Sequence, residues 1–265
     1  NHDCYDKNGD AESHGASYDD PQYWASATDK YNQYFKPSIS NWGVTQPINA
    51  EANGLCYYYK DYSKTGDDGY TKVRLIVLDC MAYNEAQHTW FENALADAKG
   101  NGFSVVIAVH YPPTESDSGD YTLFDTNFSS KMTGKEMWYG IMGLSYVDAS
   151  GVRRKAADSV DNFINGGGDF VCWLCGHLHY GQYGTLNSHP KQIYMAIEKA
   201  NPAFGGADTP RFKGDKSEDL FNVLAIDTHN KIIKVLRVGA DYDYYMRHKE
   251  SMCIDYANRR LISSY

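Results

Sequence analysis

Gly176-His177-Leu178-His179 closes the apolar run Phe170-Val171-Cys172-Trp173-Leu174-Cys175. Two imidazoles one residue apart share a face if the strand continues, and in a loop they can splay to flank two metal ions. The glycine before them lets the backbone approach such ions closely. A second apolar stretch, Phe103 to Val109, also ends in a histidine, His110, and the chain opens on Asn1-His2-Asp3. Each segment alone has a plainer reading: strand-end histidines hydrogen-bonded to their surroundings, a solvated strand end before Tyr111-Pro112-Pro113, or a frayed terminal tripeptide. Together they bring imidazole and amide ligands from three segments. Hydrolytic metal sites of α/β proteins are commonly assembled in this way.

The elements that must position these residues follow from the patterning. An aromatic strand over Leu55 to Tyr62, a turn at Thr65-Gly66-Asp67-Asp68-Gly69 and an apolar strand over Val73 to Leu78 form a hairpin. Glu85 to Lys99 is a helix, with Trp90, Phe91, Ala94, Leu95 and Ala98 on one stripe and Gly100-Asn101-Gly102 as its stop. The strand ending at His110 follows, so Val73 to Val109 is a strand-helix-strand unit with a parallel crossover. A second helix runs from about Arg154 to Asn165, with Ala157, Val160, Phe163 and Ile164 on one face, and Gly166-Gly167-Gly168 ends it. Further strands are expected at Gln192 to Ile197, Phe221 to Ile226, Lys231 to Val238, Ser251 to Ile254 and Arg260 to Ile262. Residues 4–54 read as a short helix, broken by Pro37 and Pro47, with long surface loops. The Ser-, Asp-, Thr- and Gly-rich stretch from Tyr111 to Ser150 leaves directly from His110 and forms a lid or wall. Its aromatics, Tyr111, Tyr121, Phe124, Trp138 and Tyr139, line a cleft or pack within the loops.

Composition narrows the function classes. The 265 residues can bury a large core, and without an internal repeat or visible boundary they read as a single α/β domain over residues 1–265. A net charge of −9 disfavours non-specific binding to nucleic acid or anionic membrane, which needs clustered Lys and Arg. No apolar run approaches the length of a membrane span. The six cysteines, Cys4, Cys56, Cys80, Cys172, Cys175 and Cys253, are too sparse for a disulfide scaffold. Cys172 and Cys175 resemble half a zinc pair, but three residues apart on a strand their thiols point to opposite faces. His14, His88, His189 and His248 lie in polar surroundings and are expected to be solvated. No compartment is encoded in these features.

The order Asn-His-Asp, apolar strand to His, then Gly-His-x-His resembles the calcineurin-like metallophosphoesterase family. The connecting segments share the likeness: Leu78-Asp79, then Gln87-x-x-Trp90-Phe91-x-x-x-Leu95, then the strand to His110. The resemblance implies an α/β fold, a two-layer-type sandwich of central β sheets flanked by helices. It implies a metal-dependent phosphomonoesterase or phosphodiesterase using two divalent ions (Mn, Fe or Zn) and a bridging hydroxide on a small phosphate ester. It assigns Asn1, His110 and His177 to one metal and His179 to the other. His2 would sit beside the scissile phosphate, with Asp3 orienting its ring.

The family's signature opens with Asp-x-His and Gly-Asp-x-x-Asp blocks that have no counterpart before Asn1. The chain is therefore expected to be N-terminally incomplete, the major C-terminal part of the domain, with the missing N-terminal segment as its partner. Alone it is expected to bind metal poorly and turn over slowly. The alternative is a non-catalytic remnant that binds a ligand through tyrosine-rich loops and holds at most one weakly bound metal. Asp227-Thr228-His229 mimics the absent first block, yet it sits between two alternating strands and reads as a hairpin turn. Gly66-Asp67 and Gly214-Asp215 fail the second block on spacing.

Overall fold

The structure is a computed structural model that describes residues 28, 31–64, 72–79, 85–110, 113, 127–129, 132–133, 145–147, 153–155, 160–176, 182–186, 189–196, 214, 220–239 and 251–264. The predicted hairpin turn at 65–69, the cleft aromatics, Cys4, Cys80, His14 and His248 lie outside them.

A π-helical turn, Tyr31–Phe35, leads into α1 (Lys36–Ile39). Pro37 falls in the first turn of α1, where its missing N–H costs nothing, so it starts that helix instead of breaking one. After α2 (Ala50–Asn53), β1 (Tyr58–Ser63) pairs antiparallel with β2 (Lys72–Val77), which gives the expected hairpin. The helix α3 (Glu85–Gly100) then returns the chain to β3 (Ser104–Ala108), parallel to β2. At its end Gly102 takes φ +71, and Phe103 N–H returns to the Ala98 carbonyl at 2.9 Å.

Two small ribbons follow, β4 (Asn127–Ser129) with β5 (Met132–Thr133) and β6 (Ser145–Val147) with β7 (Arg153–Lys155). The predicted second helix is accordingly shorter, α4 (Val160–Asn165). Arg153–Lys155 instead answer Ser145–Val147 in an antiparallel ladder, which satisfies the backbone without a helix. The stripe holds over the part that is helical: Val160 and Phe163 are buried, and Ile164 packs on the same core.

β8 (Asp169–Cys175) lies parallel to β3, β10 (Ile193–Ala196) parallel to β8, and β9 (Gln182–Thr185) antiparallel to β10. The first sheet therefore runs β1-β2-β3-β8-β10-β9. A second, antiparallel sheet has β11 (Leu220–Asp227), β12 (Ile232–Gly239), β13 (Ser251–Asp255) and β14 (Arg260–Ser264) in sequence order.

The packing makes three layers. Phe91, Leu95 and Ala98 of α3 and Val160 and Phe163 of α4 cover one face of the first sheet, meeting Ile76, Val105, Ile107 and Trp173. Its other face, with Val106, Val171, Cys172, Ile193 and Met195, packs against Ile233, Val235, Met252 and Ile254 of the second sheet. The architecture is thus α/β with central sheets and few helices, and α3 and α4 lie on one face of the first sheet. A bulge tunes β8: Val105 pairs Phe170 but Val106 pairs Cys172, so Val171 is an extra residue. Val171 and Cys172 consequently share the sheet-facing side, while Phe170, Trp173 and Cys175 face the helices. Cys172 and Cys175 diverge as expected, and burial pushes the Cys172 thiol well above its ordinary pKa.

Three polar residues depart from their expected surroundings. Arg74 interrupts the apolar strand β2 yet is buried under α3. Its guanidinium meets both Asp61 oxygens at 2.7 and 2.8 Å, Asp97 at 2.8 Å and the Ala94 carbonyl at 2.9 Å, over the Tyr59 ring. A forked, planar cation bridges sheet and helix in this way, with each of its three nitrogens hydrogen-bonded. His88 and His189, expected to be solvated, are buried. His88 lies on α3 with Glu92 one turn on at 3.3 Å, and His189 packs against Asp161 of α4.

Candidate functional site

The parallel strands β2, β3 and β8 end side by side. Leu78 N–H donates to the Ala108 carbonyl, Val109 N–H to the Leu174 carbonyl and Gly176 N–H to the His110 carbonyl, each at 2.9 Å. The last of these bonds joins two of the predicted blocks: His110 and the glycine that immediately precedes His177 are adjacent across one ladder. Both strands are apolar because each is buried on two faces. Apolar burial ends where the ladder ends, which is why half-buried His110 falls at this edge.

A pocket of about 550 Å³ opens there. His110 is among the residues that line it, with Val77, Leu78, Val109, Leu174 and Leu224 as the apolar wall. Carboxyl ends of parallel strands are the usual ligand-binding edge of open α/β sheets. Cys175 also lines the pocket, but its thiol donates to the Met195 carbonyl at 3.3 Å.

The neighbouring strand end is fixed by Gln87. Its carboxamide accepts from Asp79 N–H at 2.8 Å and donates to the Asp79 carbonyl at 3.0 Å, clamping the exit of β2 to the first turn of α3. Trp90, one turn further, packs edge-on to Tyr57 and stacks on Tyr59. The Gln87-x-x-Trp90-Phe91 spacing therefore has a local purpose: it orients the helix that connects β2 to β3. Tyr57 is held above its ordinary pKa, first by burial and then by the Asp79 carboxylate. Neither Tyr57 nor Asp79 was a candidate from sequence; the signal available was Asp79 standing at the end of an apolar strand, as His110 does.

Of the predicted site residues, the structure positions His110. Asn1, His2, Asp3, His177 and His179 lie outside the described residues, and so does most of the expected lid. Among the described residues, no group of three His, Cys, Asp or Glu stands together as a metal site. The Asp227-Thr228-His229 decoy resolves as the expected turn. Asp227 accepts from His229 N–H at 3.0 Å and Asn230 N–H at 2.9 Å, and Lys231 takes φ +58 before β12 begins.

No family profile and no curated protein sequence matches the chain. Among solved structures, the fold is distantly similar to that of a dimetal phosphatase from Danio rerio, at 11% identity and a TM-score of 0.36, covering 85% of this chain and 71% of that one. It is also similar to GAP50, the anchor in the inner membrane complex of Plasmodium, at 9% identity and a TM-score of 0.31, covering 79% of this chain and 52% of that one. Likenesses this loose carry nothing about activity, and the functional reading rests on the strand-end geometry.

Proposed function

We propose that this protein is a metal-dependent phosphoester hydrolase whose site lies at the carboxyl edge of β2, β3 and β8, acting on a small phosphate monoester or diester. The observation that supports this reading most is the bond from Gly176 N–H to the His110 carbonyl. It brings two of the three sequence blocks to one end of the sheet, beside a pocket.

On this reading Asn1, His110 and His177 hold one divalent ion and His179 holds the other. Imidazoles with a neutral amide oxygen suit Mn, Fe or Zn. His110 alone among the described residues is a donor of this type in the pocket, so its partners come from the flanking blocks. Bound ions supply charge that polarises phosphoryl oxygens and lowers the pKa of an attacking water. The chain's own chemistry is the proton at the leaving oxygen: His2 gives it, and Asp3 fixes the imidazole tautomer so that the correct nitrogen carries it. The apolar wall beside His110 lowers the local dielectric and strengthens each charged contact made there.

The test is hydrolysis of a chromogenic bis-aryl phosphate by protein expressed from its complete coding sequence, with added Mn or Zn and with chelator. Turnover should require metal, and His2→Asn should lower kcat by roughly a hundredfold or more while metal stays bound. Absence of metal-dependent turnover on both monoester and diester substrates would sink the reading.

A further inference from the structure

A buried polar chain runs from α4 to the centre of β8. Asp161 accepts from Gln192 Nε2 at 2.8 Å, and His189 Nδ1 lies 2.5 Å from its other oxygen. Gln192 Oε1 in turn accepts from the Trp173 indole N–H at 2.8 Å. Gln192 and Trp173 are both 0% exposed, so each of these groups depends on its partner within the protein. The turn that carries them closes on itself, with Leu186 N–H to the Gln192 carbonyl at 3.1 Å and Gln192 N–H to the His189 carbonyl at 2.9 Å.

This chain sits at the start of β10, and β10 is the template for both stems of the segment that holds His177 and His179. Ala196 pairs Cys175 of β8 on one side and Gln182 of β9 on the other. The stems therefore stand two strand spacings apart, roughly 10 Å, with β10 between them. A one-residue slip of β10 would turn its side chains over and shift the β9 stem relative to the β8 stem, which the β3 ladder holds. Tyr194 packs closely on β9 as well: a Cβ on its register partner Gly184 would meet the Tyr194 ring carbon at 3.0 Å, a tight contact.

We propose that Asp161 is a positioning residue for the His177–His179 segment, acting through Gln192 and His189 to hold β10 in the register that spaces the two stems. The inference rests on the phosphoesterase reading for the purpose of that segment, but the register itself is tested separately. Asp161→Ala should speed hydrogen exchange of peptides spanning residues 176–186 at least tenfold and weaken Mn or Zn affinity at least tenfold. Asp161→Asn keeps an acceptor for Gln192 and should recover most of both. Ser104→Ala, at the opposite ends of β3 and β8, is the control: it should lower the melting temperature and leave exchange over 176–186 as in the wild type. If Asp161→Ala does not fold, Gln192→Met breaks the same bridge at similar volume. Wild-type exchange over 176–186 in the Asp161 or Gln192 variant, or equal acceleration in Ser104→Ala, overturns the proposal. Absence of metal binding by wild-type protein expressed from its complete coding sequence sinks the phosphoesterase reading instead, and the exchange result still decides the register.

Discussion

The two ends of the β3–β8 pair are built on different terms. At the amino end, Ser104 and Asp169 are register partners, and one carboxylate oxygen of Asp169 gathers the Ser104 hydroxyl, Lys231 Nζ at 2.7 Å and the Tyr256 hydroxyl at 3.3 Å. Tyr256 is held above its ordinary pKa there, first by burial and then by that carboxylate. At the carboxyl end backbone bonds tie the same two strands together, and the strands border an apolar-walled pocket that His110 helps to line. One end satisfies its polar groups with neighbours from the second sheet. The other places a half-buried histidine among the residues that line a pocket. The amino end is a fastening, and the carboxyl end is the edge where ligands collect in other open α/β sheets.

The comparison breaks most sharply under paired substitution. His110→Ala should reduce metal-dependent turnover by about a thousandfold, an effect of roughly 4 kcal/mol on the barrier, with little change in melting temperature. Asp169→Ala should do the reverse: about 2 kcal/mol of stability lost, since three donors lose one acceptor at a partly exposed position, with metal affinity unchanged. Turnover kinetics and urea titrations on the same two variants decide it. Equal losses of activity and stability in both would erase the distinction between the two ends.

The smallest effect is one of pH and concerns the latch on α4. Burial raises the Asp161 carboxyl, but hydrogen bonds from His189 and Gln192, with the charges of His189 and Lys191, outweigh it and hold the pKa below its ordinary value of 3.8. A folded pKa below the unfolded one contributes stability above the unfolded value, and that contribution disappears as pH falls through the folded one. The stability gap between wild type and Asp161→Asn should therefore be present at neutral pH and narrow below about pH 4. Urea midpoints of both proteins across that range check it; a gap that widens in acid would contradict the sign.

What the sequence could show tracks how the elements are stabilised. β2, β3, β8 and β11 to β14 are legible because burial on one or two faces writes itself as apolar runs or alternation. α3 is legible because its stripe and its Gly102 stop are local. β9 is not: Gln182-Tyr183-Gly184-Thr185 carries no pattern, and it is a strand only because β10 offers it an edge. Arg154 and Lys155 were drawn into a helix by the stripe behind them, whereas a non-local partner strand claims them. His189 reads as solvated for the same reason, since its partner Asp161 is 28 residues away in sequence. The position of His110 was legible because an apolar strand ends there in a polar residue. The bulge at Val171, which sets the phase of the strand leading to His177, leaves no mark in the sequence.

The central claim is that the carboxyl edge of β3 and β8 is a metal site, and anomalous diffraction from a Mn- or Zn-loaded crystal tests it most directly. The account predicts an anomalous peak about 2.0 to 2.2 Å from an imidazole nitrogen of His110, with His177 on the same ion. A crystal loaded with either metal that shows no peak within reach of His110, or shows one only elsewhere on the protein, would contradict it.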